Sequence, residues 1–174
     1  MAQITALGKY IENLNLAYNN FNNTQIPPEF DKLTSLSNLN LSNAGFAGQV
    51  PIEISNLTRL VTLDLSSAPY SSVITLKLEI SNLSLLIRNH SELIELYLDG
   101  VSISAHGTEW CKAISSSLPK LRVLSLFNCN LSGPIDSSLL KLQSLGDPRI
   151  KELIKEQIQE VSCTTKATNI QNQL

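Results

Sequence analysis

Pairs of leucines separated by one residue recur five times along the chain, each followed by a short polar stretch. The first leucines of these pairs are 25, 24, 33 and 28 residues apart: Leu14, Leu39, Leu63, Leu96 and Leu124. Because side chains alternate along an extended strand, both leucines of a pair point to one face and the residue between them to the other. The pattern therefore predicts five short strands, each with one buried face.

Apolar residues recur at every third position in the blocks that connect the predicted strands. These blocks begin at Ile26, Val50 and Ile135, and the first two contain proline directly after the apolar residue. A period of three suits a 3₁₀ or irregular helical return, and proline disfavours a regular helix interior. One such unit cannot bury its own leucines, whereas stacked copies can.

The predicted fold is therefore an α/β right-handed solenoid of about five to six repeats over residues 1–145. A curved parallel sheet is expected on its inner face, with 3₁₀, irregular and helical returns. Residues 66–92 are interpreted as an irregular insert. Within it Ile74, Leu76, Leu78 and Ile80 alternate as in a strand, so the insert also has the features of a degenerate repeat.

The sequence changes character at the C-terminal end. Asp147 suits a helix N-cap and Pro148 the first helical position. Apolar residues follow at helical spacing: Ile150, Leu153, Ile154, Ile158 and Val161. The non-repeat segment 146–174 is thus predicted to contain an amphipathic helix over about 147–161 and a polar tail. It is interpreted either as a cap on the last repeat or as foreign sequence joined to it, and the second interpretation is favoured.

Composition narrows the classes of function. Charged residues make up only 16% of the chain and its net charge is −2, so no basic face for nucleic acid is expected. No apolar run approaches the roughly 18 residues that would span a bilayer. The N-terminus also lacks the order of basic and apolar regions of a signal peptide, so the chain as written would stay in the cytoplasm.

The sequence predicts no enzyme, cofactor or metal. It contains no glycine-rich phosphate loop, no nucleophile elbow and no His/Cys pair at zinc spacing. His90 occupies a position where the three-residue period would place leucine, and we expect it to be partly exposed. His106 is interpreted as a solvated loop residue.

Three cysteines are too few and too unevenly spaced for a disulfide-rich scaffold: Cys111, Cys129 and Cys163. A bridge between Cys111 and Cys129 is one option. The favoured option is that they are free thiols serving as small core residues.

The repeats resemble the leucine-rich repeats of plant extracellular proteins, whose consensus contains a Gly-x-Ile-Pro step. The sequence GQVP at 48–51 matches this step, and LSGPI at 131–135 matches it in part. Segments 39–67 and 95–135 are similar to the N-terminal ectodomain of receptor-like proteins of the Verticillium wilt resistance type. The resemblance covers about residues 7–145. It implies a plant cell-surface immune receptor at the plasma membrane that binds a protein or peptide and acts with a co-receptor kinase.

The turn after each strand departs from the pattern of that family, which places asparagine there to bond neighbouring backbone. The five occupants are Asn19, Ala44, Ala68, Val101 and Cys129. Only the first and the last suit this role, so the side-chain ladder is expected to be weak.

Side chains between and beside the strand leucines should form the ligand-binding surface. The first two predicted strands are neutral and rich in amides, whereas the last three collect acidic and aromatic residues. The candidate site is Asp64, Glu95, Tyr97, Asp99, Ser125 and Phe127. An acidic surface with two aromatics suits a basic or amphipathic peptide, since aromatics anchor a ligand and charges orient it. The alternative is an ordinary solvated polar face.

Six Asn-x-Ser/Thr sequons occur, at Asn22, Asn40, Asn56, Asn82, Asn89 and Asn130. In a secreted setting several of them would carry glycans. A glycan on Asn40 would lie on the strand surface and exclude that strand from ligand contact.

The function predicted is therefore non-catalytic recognition of a protein or peptide. The alternatives are a free-standing inhibitor of cell-wall-degrading enzymes, an intracellular adaptor, or a truncated receptor fragment without independent function.

Overall fold

The computed structural model describes residues 8–67, 75–104, 107–131 and 134–142. These ranges contain eight strands: β1 Asn13–Asn15, β2 Asn38–Asn40, β3 Gly48–Gln49, β4 Thr62–Asp64, β5 Leu76–Glu79, β6 Glu95–Tyr97, β7 Ser102–Ser104 and β8 Val123–Ser125. They also contain two α-helices, α1 Ile80–Ile87 and α2 Gly107–Ser117. Four 3₁₀ helices complete the described elements: Gly8–Tyr10, Pro28–Lys32, Ile52–Asn56 and Ser137–Lys141.

The main sheet confirms the five predicted strands. It is parallel, with the strand order β1-β2-β4-β6-β8. The register pairs the first leucines of the five segments in one column: Leu14, Leu39, Leu63, Leu96 and Leu124. The middle three are fully buried, and the two end members pack against the core from partly buried positions. Stacking thus buries leucines that a single repeat would leave in water.

The predicted three-residue period also holds in the returns. Ile54, Leu57 and Leu60 are fully buried, and the 3₁₀ helix Ile52–Asn56 begins directly after Pro51. Proline is suited to this position because a first helical turn leaves its N–H groups without intrahelical partners.

A second parallel sheet, β3-β5-β7, lies outside what the sequence predicted. Gly48 pairs with Leu76, and Leu78 pairs with Ile103. Strand β5 alternates buried leucines with exposed Lys77 and Glu79, as a strand with one covered face should.

The described part of residues 66–92, predicted as an irregular insert, contains one strand and one helix. Of the alternating apolar residues in this segment, Leu76 and Leu78 lie in β5, and Ile80 begins α1 instead of extending the strand. Ile74 lies outside the described residues. In the described residues this segment adds no strand to the main sheet, where β4 pairs directly with β6. It supplies the second-sheet strand and the helical return of one long repeat.

His90 is fully buried, so the expectation of partial exposure is wrong. Its ring lies in the column of Leu33, Leu57 and Leu118, six residues before each strand leucine. Nε2 lies 3.2 Å from the carbonyl oxygen of Ile54. Nδ1 has no hydrogen-bond partner among the described residues, and burial lowers the pKa of the imidazole. The side chain of His90 is buried because an imidazole is about as long as a leucine side chain and packs in the same place in the stack.

Cys111 and Cys129 are both buried and free, which excludes the bridge left open above. The thiol of Cys129 lies 3.0 Å from the carbonyl oxygen of Leu98 in the preceding repeat. Burial raises the pKa of Cys111 to about 11 and that of Cys129 to about 12, so both remain protonated at neutral pH.

Several sequence predictions lie outside the described residues. These are the helix over about 147–161, the polar tail with Cys163, the loop residue His106, and the ladder position of Ala68. None of the described helices has the length and apolar character that crossing a membrane requires.

Candidate ligand-binding face

Adjacent strands bring the predicted site residues together. The register places Asp64 of β4 beside Tyr97 of β6, and Tyr97 beside Ser125 of β8. Glu95 precedes Tyr97 by two residues on the same strand, so both side chains point away from the buried leucine between them. We use the term strand face for the surface formed by the six candidate side chains: Asp64, Glu95, Tyr97, Asp99, Ser125 and Phe127.

In β1, β2 and β4, the residue between the two leucines of the pair carries an amide or carboxylate group that caps the end of the strand. In each of them a side-chain Oδ1 accepts a hydrogen bond at 2.9 Å from the backbone N–H two residues later: Asn15 from Ala17, Asn40 from Ser42 and Asp64 from Ser66. Asp64 also accepts a bond of 2.6 Å from the hydroxyl of Ser66. These are Asx turns, and they fix the direction in which the chain leaves the strand.

Asp99 takes over this capping role for the last repeat. Its Oδ1 accepts the backbone N–H of Phe127 at 2.6 Å, although the two residues belong to neighbouring repeats. The hydroxyl of Ser125 lies 2.7 and 2.8 Å from the two oxygens of the same carboxylate. Asp99 therefore fastens β8 to the repeat before it and holds the aromatic residue Phe127 in place.

Tyr97 and Glu95 form a polar pair on β6. The phenol hydroxyl donates to Oε2 of Glu95 at 3.4 Å. Burial raises the pKa of Tyr97, and the negative charges of Glu95 and Asp64 raise it further. The phenol thus stays neutral and can donate a hydrogen bond over a wide range of pH.

Phe127 is the most exposed aromatic of the candidate site. Its side chain is 68% exposed directly beyond β8, whereas Tyr97 is partly buried. A large exposed aromatic beside fixed carboxylates can make both apolar and polar contacts with a ligand.

The sequons differ in their accessibility. Four asparagines are exposed, Asn22, Asn56, Asn89 and Asn130, whereas Asn40 and Asn82 are partly buried. Asn40 uses its Oδ1 in a strand cap, and the amide nitrogen of Asn89 donates to the carbonyl of Ser55 at 3.3 Å. A glycan at Asn40 would stand on β2, within the main sheet and beside β4.

A column of left-handed backbone was missed in the sequence. Tyr18, Asn43, Gly100 and Asn128 each follow a strand at the same position and have positive φ angles of 57°, 52°, 73° and 55°. Glycine and asparagine tolerate this conformation, so their recurrence was a usable signal, whereas the tyrosine gave none.

Comparison with known proteins agrees with this geometry. The family model for the Leucine Rich Repeat matches residues 10–33 and 120–142. Receptor-like protein 6 of Arabidopsis thaliana is 41% identical over 139 residues, which cover 79% of this chain and 14% of that protein. The chain is a leucine-rich-repeat protein of the plant receptor-like type. The finer assignment to the Verticillium wilt resistance type stays a prediction.

Solved structures of plant receptors have the same leucine-rich-repeat fold. The Arabidopsis receptor kinase HAESA, in complex with the peptide hormone IDA and the co-receptor SERK1, is 28% identical with a TM-score of 0.62. The match covers 77% of this chain and 20% of the HAESA chain. The ectodomain of the Arabidopsis receptor kinase GASSHO1/SCHENGEN3, in complex with CASPARIAN STRIP INTEGRITY FACTOR 2, is 26% identical with a TM-score of 0.62. This second match covers 80% of this chain and 15% of that chain.

The leucine-rich-repeat chain thus spans only a small part of the length of the proteins that it matches. Within its described residues no group of three or more His, Cys, Asp or Glu side chains is arranged to hold a metal ion. The features that the strand face offers to a ligand are aromatic surface, fixed carboxylates and hydroxyl groups.

Proposed function

We propose that this chain is a recognition segment of a plant cell-surface receptor-like protein, and that β4, β6 and β8 bind a basic peptide or a basic protein segment. The observation that carries the proposal is the pairing of two aromatics with carboxylates on three adjacent strands. Tyr97 and Phe127 supply contact area, and Asp64 and Glu95 supply negative charge. Aromatic anchors contribute most of the binding energy at such surfaces, whereas charges chiefly orient the partner.

The caps make this surface rigid before a ligand arrives. Asp64 is bonded to Ser66, and Asp99 is bonded to Ser125 and to the backbone of Phe127. A preorganised surface loses less conformational entropy on binding than a mobile one. In this proposal Asp64 and Asp99 therefore act mainly by positioning, and Tyr97, Glu95 and Phe127 touch the ligand.

The solved complexes support the class of partner. HAESA and GASSHO1/SCHENGEN3 were crystallised with a peptide hormone and with an integrity factor, and HAESA also with the co-receptor SERK1. By analogy we propose a peptide or protein ligand and a co-receptor kinase for the receptor to which this chain belongs. On the same analogy we propose that its repeats lie outside the cell at the plasma membrane, that exposed sequons carry glycans, and that the chain has no catalytic role.

A peptide array read by surface plasmon resonance tests the strand face. The full chain is immobilised and exposed to matched peptides rich in lysine and arginine or in aspartate and glutamate. We expect saturable binding of basic peptides only. Tyr97→Ala and Phe127→Ala should each weaken it by about tenfold or more, which is the range of a modest hot spot. Leu85→Ala is the matched control, because Leu85 is an exposed apolar residue on α1.

Unchanged affinity in both aromatic variants would exclude this face, and equal binding of the acidic peptides would exclude the proposed charge preference. Purified chain should also leave a cell-wall polygalacturonase active. Inhibition of that enzyme would instead favour the free-standing inhibitor.

A further inference from the structure

A cavity of about 500 Å³ lies beside the first three repeats, and its lining includes none of the acidic or aromatic residues of the strand face. It is bounded by the turns that follow β1, β2 and β4 and by the start of β5. This volume falls within the range of about 300–1,000 Å³ that is usual for small-molecule sites. We call it the turn pocket.

The turn pocket lies where the regular stacking of turns changes. The turns after β1 and β2 pack closely, with the rings of Phe21 and Phe46 stacked at a centroid distance of 4.4 Å. The next repeat is longer, since 33 residues separate the starts of β4 and β6 whereas 24 separate those of β2 and β4. Ser67 and Thr75, which belong to this longer repeat, line the pocket together with the turn before it.

The lining of the turn pocket has an apolar floor and a neutral polar rim. Buried Leu41, Leu65 and Leu76 form its floor. Amide and hydroxyl side chains form its rim, among them those of Asn20, Asn23, Asn43, Ser66 and Thr75. Among the described lining residues there is no acidic or basic side chain. The lining therefore suits an uncharged ligand that offers both donors and acceptors.

Tyr18 stands at the mouth of the turn pocket in an unusual conformation. Its φ angle is 57° and its side chain is 83% exposed. Asn43, Gly100 and Asn128 occupy the same column, and these residue types tolerate left-handed backbone, whereas a bulky aromatic does not. The exposed ring of Tyr18 buries little surface that could offset the cost of this backbone conformation. Residues held in such conformations cluster at ligand sites, where the fixed geometry is part of the function.

We propose that the turn pocket binds a neutral sugar, with the ring of Tyr18 stacked on the C–H face of one pyranose. The amides of the rim pair with sugar hydroxyls, and the apolar floor receives the less polar edge of the ring. An amphipathic aromatic is suited to a sugar because one side of a pyranose is apolar and its edges are polar. The inference is independent of the peptide site proposed above.

Two sources supply this chemistry. One is a free oligosaccharide, and the other is a glycan of the chain itself. Asn22 is exposed, begins the sequon Asn-Asn-Thr, and directly precedes the rim residue Asn23. A glycan at Asn22 would therefore begin next to the pocket.

The first arm of the test uses the full chain made without glycans in bacteria. It is titrated by NMR with cellotetraose, xylotetraose, mannotetraose and chitotetraose, and the Tyr18 ring signals are followed. We expect a saturable shift with at least one sugar. Tyr18→Ala should lose at least tenfold in affinity, and Tyr18→Phe should stay within about threefold because it keeps the ring. Tyr10→Ala is the matched control and should bind normally, because Tyr10 is a tyrosine that is 69% exposed and lies outside the pocket lining.

The second arm uses chain made in plant cells, with or without Asn22→Gln. If the chain's own glycan fills the turn pocket, the glycosylated chain should show Tyr18–sugar NOEs and resist added oligosaccharide, and Asn22→Gln should restore binding. If both forms bind added sugar equally, the free oligosaccharide is the source. The proposal is overturned if Tyr18 contacts neither added sugar nor glycan, or if Tyr18→Ala binds normally. Equal binding of anionic tetragalacturonate would overturn the proposed preference of the turn pocket for neutral sugars.

Discussion

The hydroxyl of Ser125 lies 2.7 and 2.8 Å from the two carboxylate oxygens of Asp99, on neighbouring repeats of the main sheet. The same carboxylate accepts the backbone N–H of Phe127 at 2.6 Å. In the first three repeats a side chain of the strand itself caps the following turn, and in the last repeat this cap comes from the repeat before. One residue of the strand face therefore contributes to the stability of the stack as well as to the geometry of the site.

Replacing Asp99 by alanine should destabilise the fold. The change removes hydrogen bonds between a charged group and two donors, so we expect a loss of about 1–3 kcal/mol in the free energy of unfolding. Glu95→Ala is the control, because the described bond of that carboxylate is a long one to Tyr97 at 3.4 Å. Urea denaturation followed by circular dichroism measures both. Equal stability of the two variants would show that the cap contributes nothing.

Gly100 should tolerate alanine poorly. Its φ is +73°, and an added Cβ would lie 2.5 Å from the backbone oxygen of Ser67. We expect Gly100→Ala to cost more than about 2 kcal/mol, from left-handed strain and from the clash with backbone that must move.

A substitution at Gly48 tests the left-handed strain without the backbone clash. Its φ is +83°, but its nearest contact would be a side-chain atom of Gln25 at 3.4 Å. Gly48→Ala should therefore cost only about 1–2 kcal/mol, the strain alone. Thermal melts of both variants check the order, and a larger loss at Gly48 would contradict the packing argument.

His90 should make the stability of the fold sensitive to acid. Its pKa in the folded chain lies below the ordinary value of 6.5, chiefly because burial disfavours the charged ring. Above pH 6.5 the ring is neutral in both states, and no stability is lost. As the pH falls from 6.5 towards the lowered pKa, the unfolded chain takes up a proton that the folded chain does not. Stability then falls by up to about 1.4 kcal/mol per pH unit.

His90→Leu isolates this effect, because leucine occupies the equivalent column position at Leu33, Leu57 and Leu118. Urea titrations at pH 8.0 and pH 5.0 should show a smaller loss of stability in the variant than in the parent chain. The same loss in both chains would assign the acid sensitivity to carboxylates instead.

Tyr18→Asn should raise stability. The backbone at Tyr18 has a φ of 57°, and Asn43 and Asn128 occupy the same column with similar angles. Asparagine adopts left-handed backbone more readily, so we expect a gain of about 0.5–1 kcal/mol, since the exposed tyrosine ring contributes little burial. The variant should at the same time lose affinity for neutral sugar. A destabilised variant would mean that the ring of Tyr18 has a structural role.

The main sheet could be predicted because its signal is carried by residue type at fixed spacing. The leucines of the five segments pair in the predicted column, and Ile54, Leu57 and Leu60 follow the predicted period. The second sheet could not be predicted in the same way. Strand β3 has only the two residues Gly48 and Gln49, which are too few to show alternation.

The candidate site was predictable as a set of neighbours but not in its internal bonding. Aligned repeats place Tyr97 beside Asp64, and the structure shows the same register. Nothing in the residue types shows that Asp99 caps the turn at Phe127, because that bond depends on the distance between two repeats. The prediction that His90 is partly exposed was wrong because it rested on residue type alone. Polarity predicts exposure, whereas its position in a leucine column favours burial.

The lengthened repeat between β4 and β6 has a consequence for how such a chain can change. Leu63 and Leu96 remain paired although 33 residues separate them, so the added length leaves the register of the main sheet unchanged. Since each repeat contacts chiefly its neighbours, an insertion there leaves the distant repeats undisturbed. Insertions can therefore accumulate one repeat at a time, for example by gene duplication, without reshaping the rest of the stack.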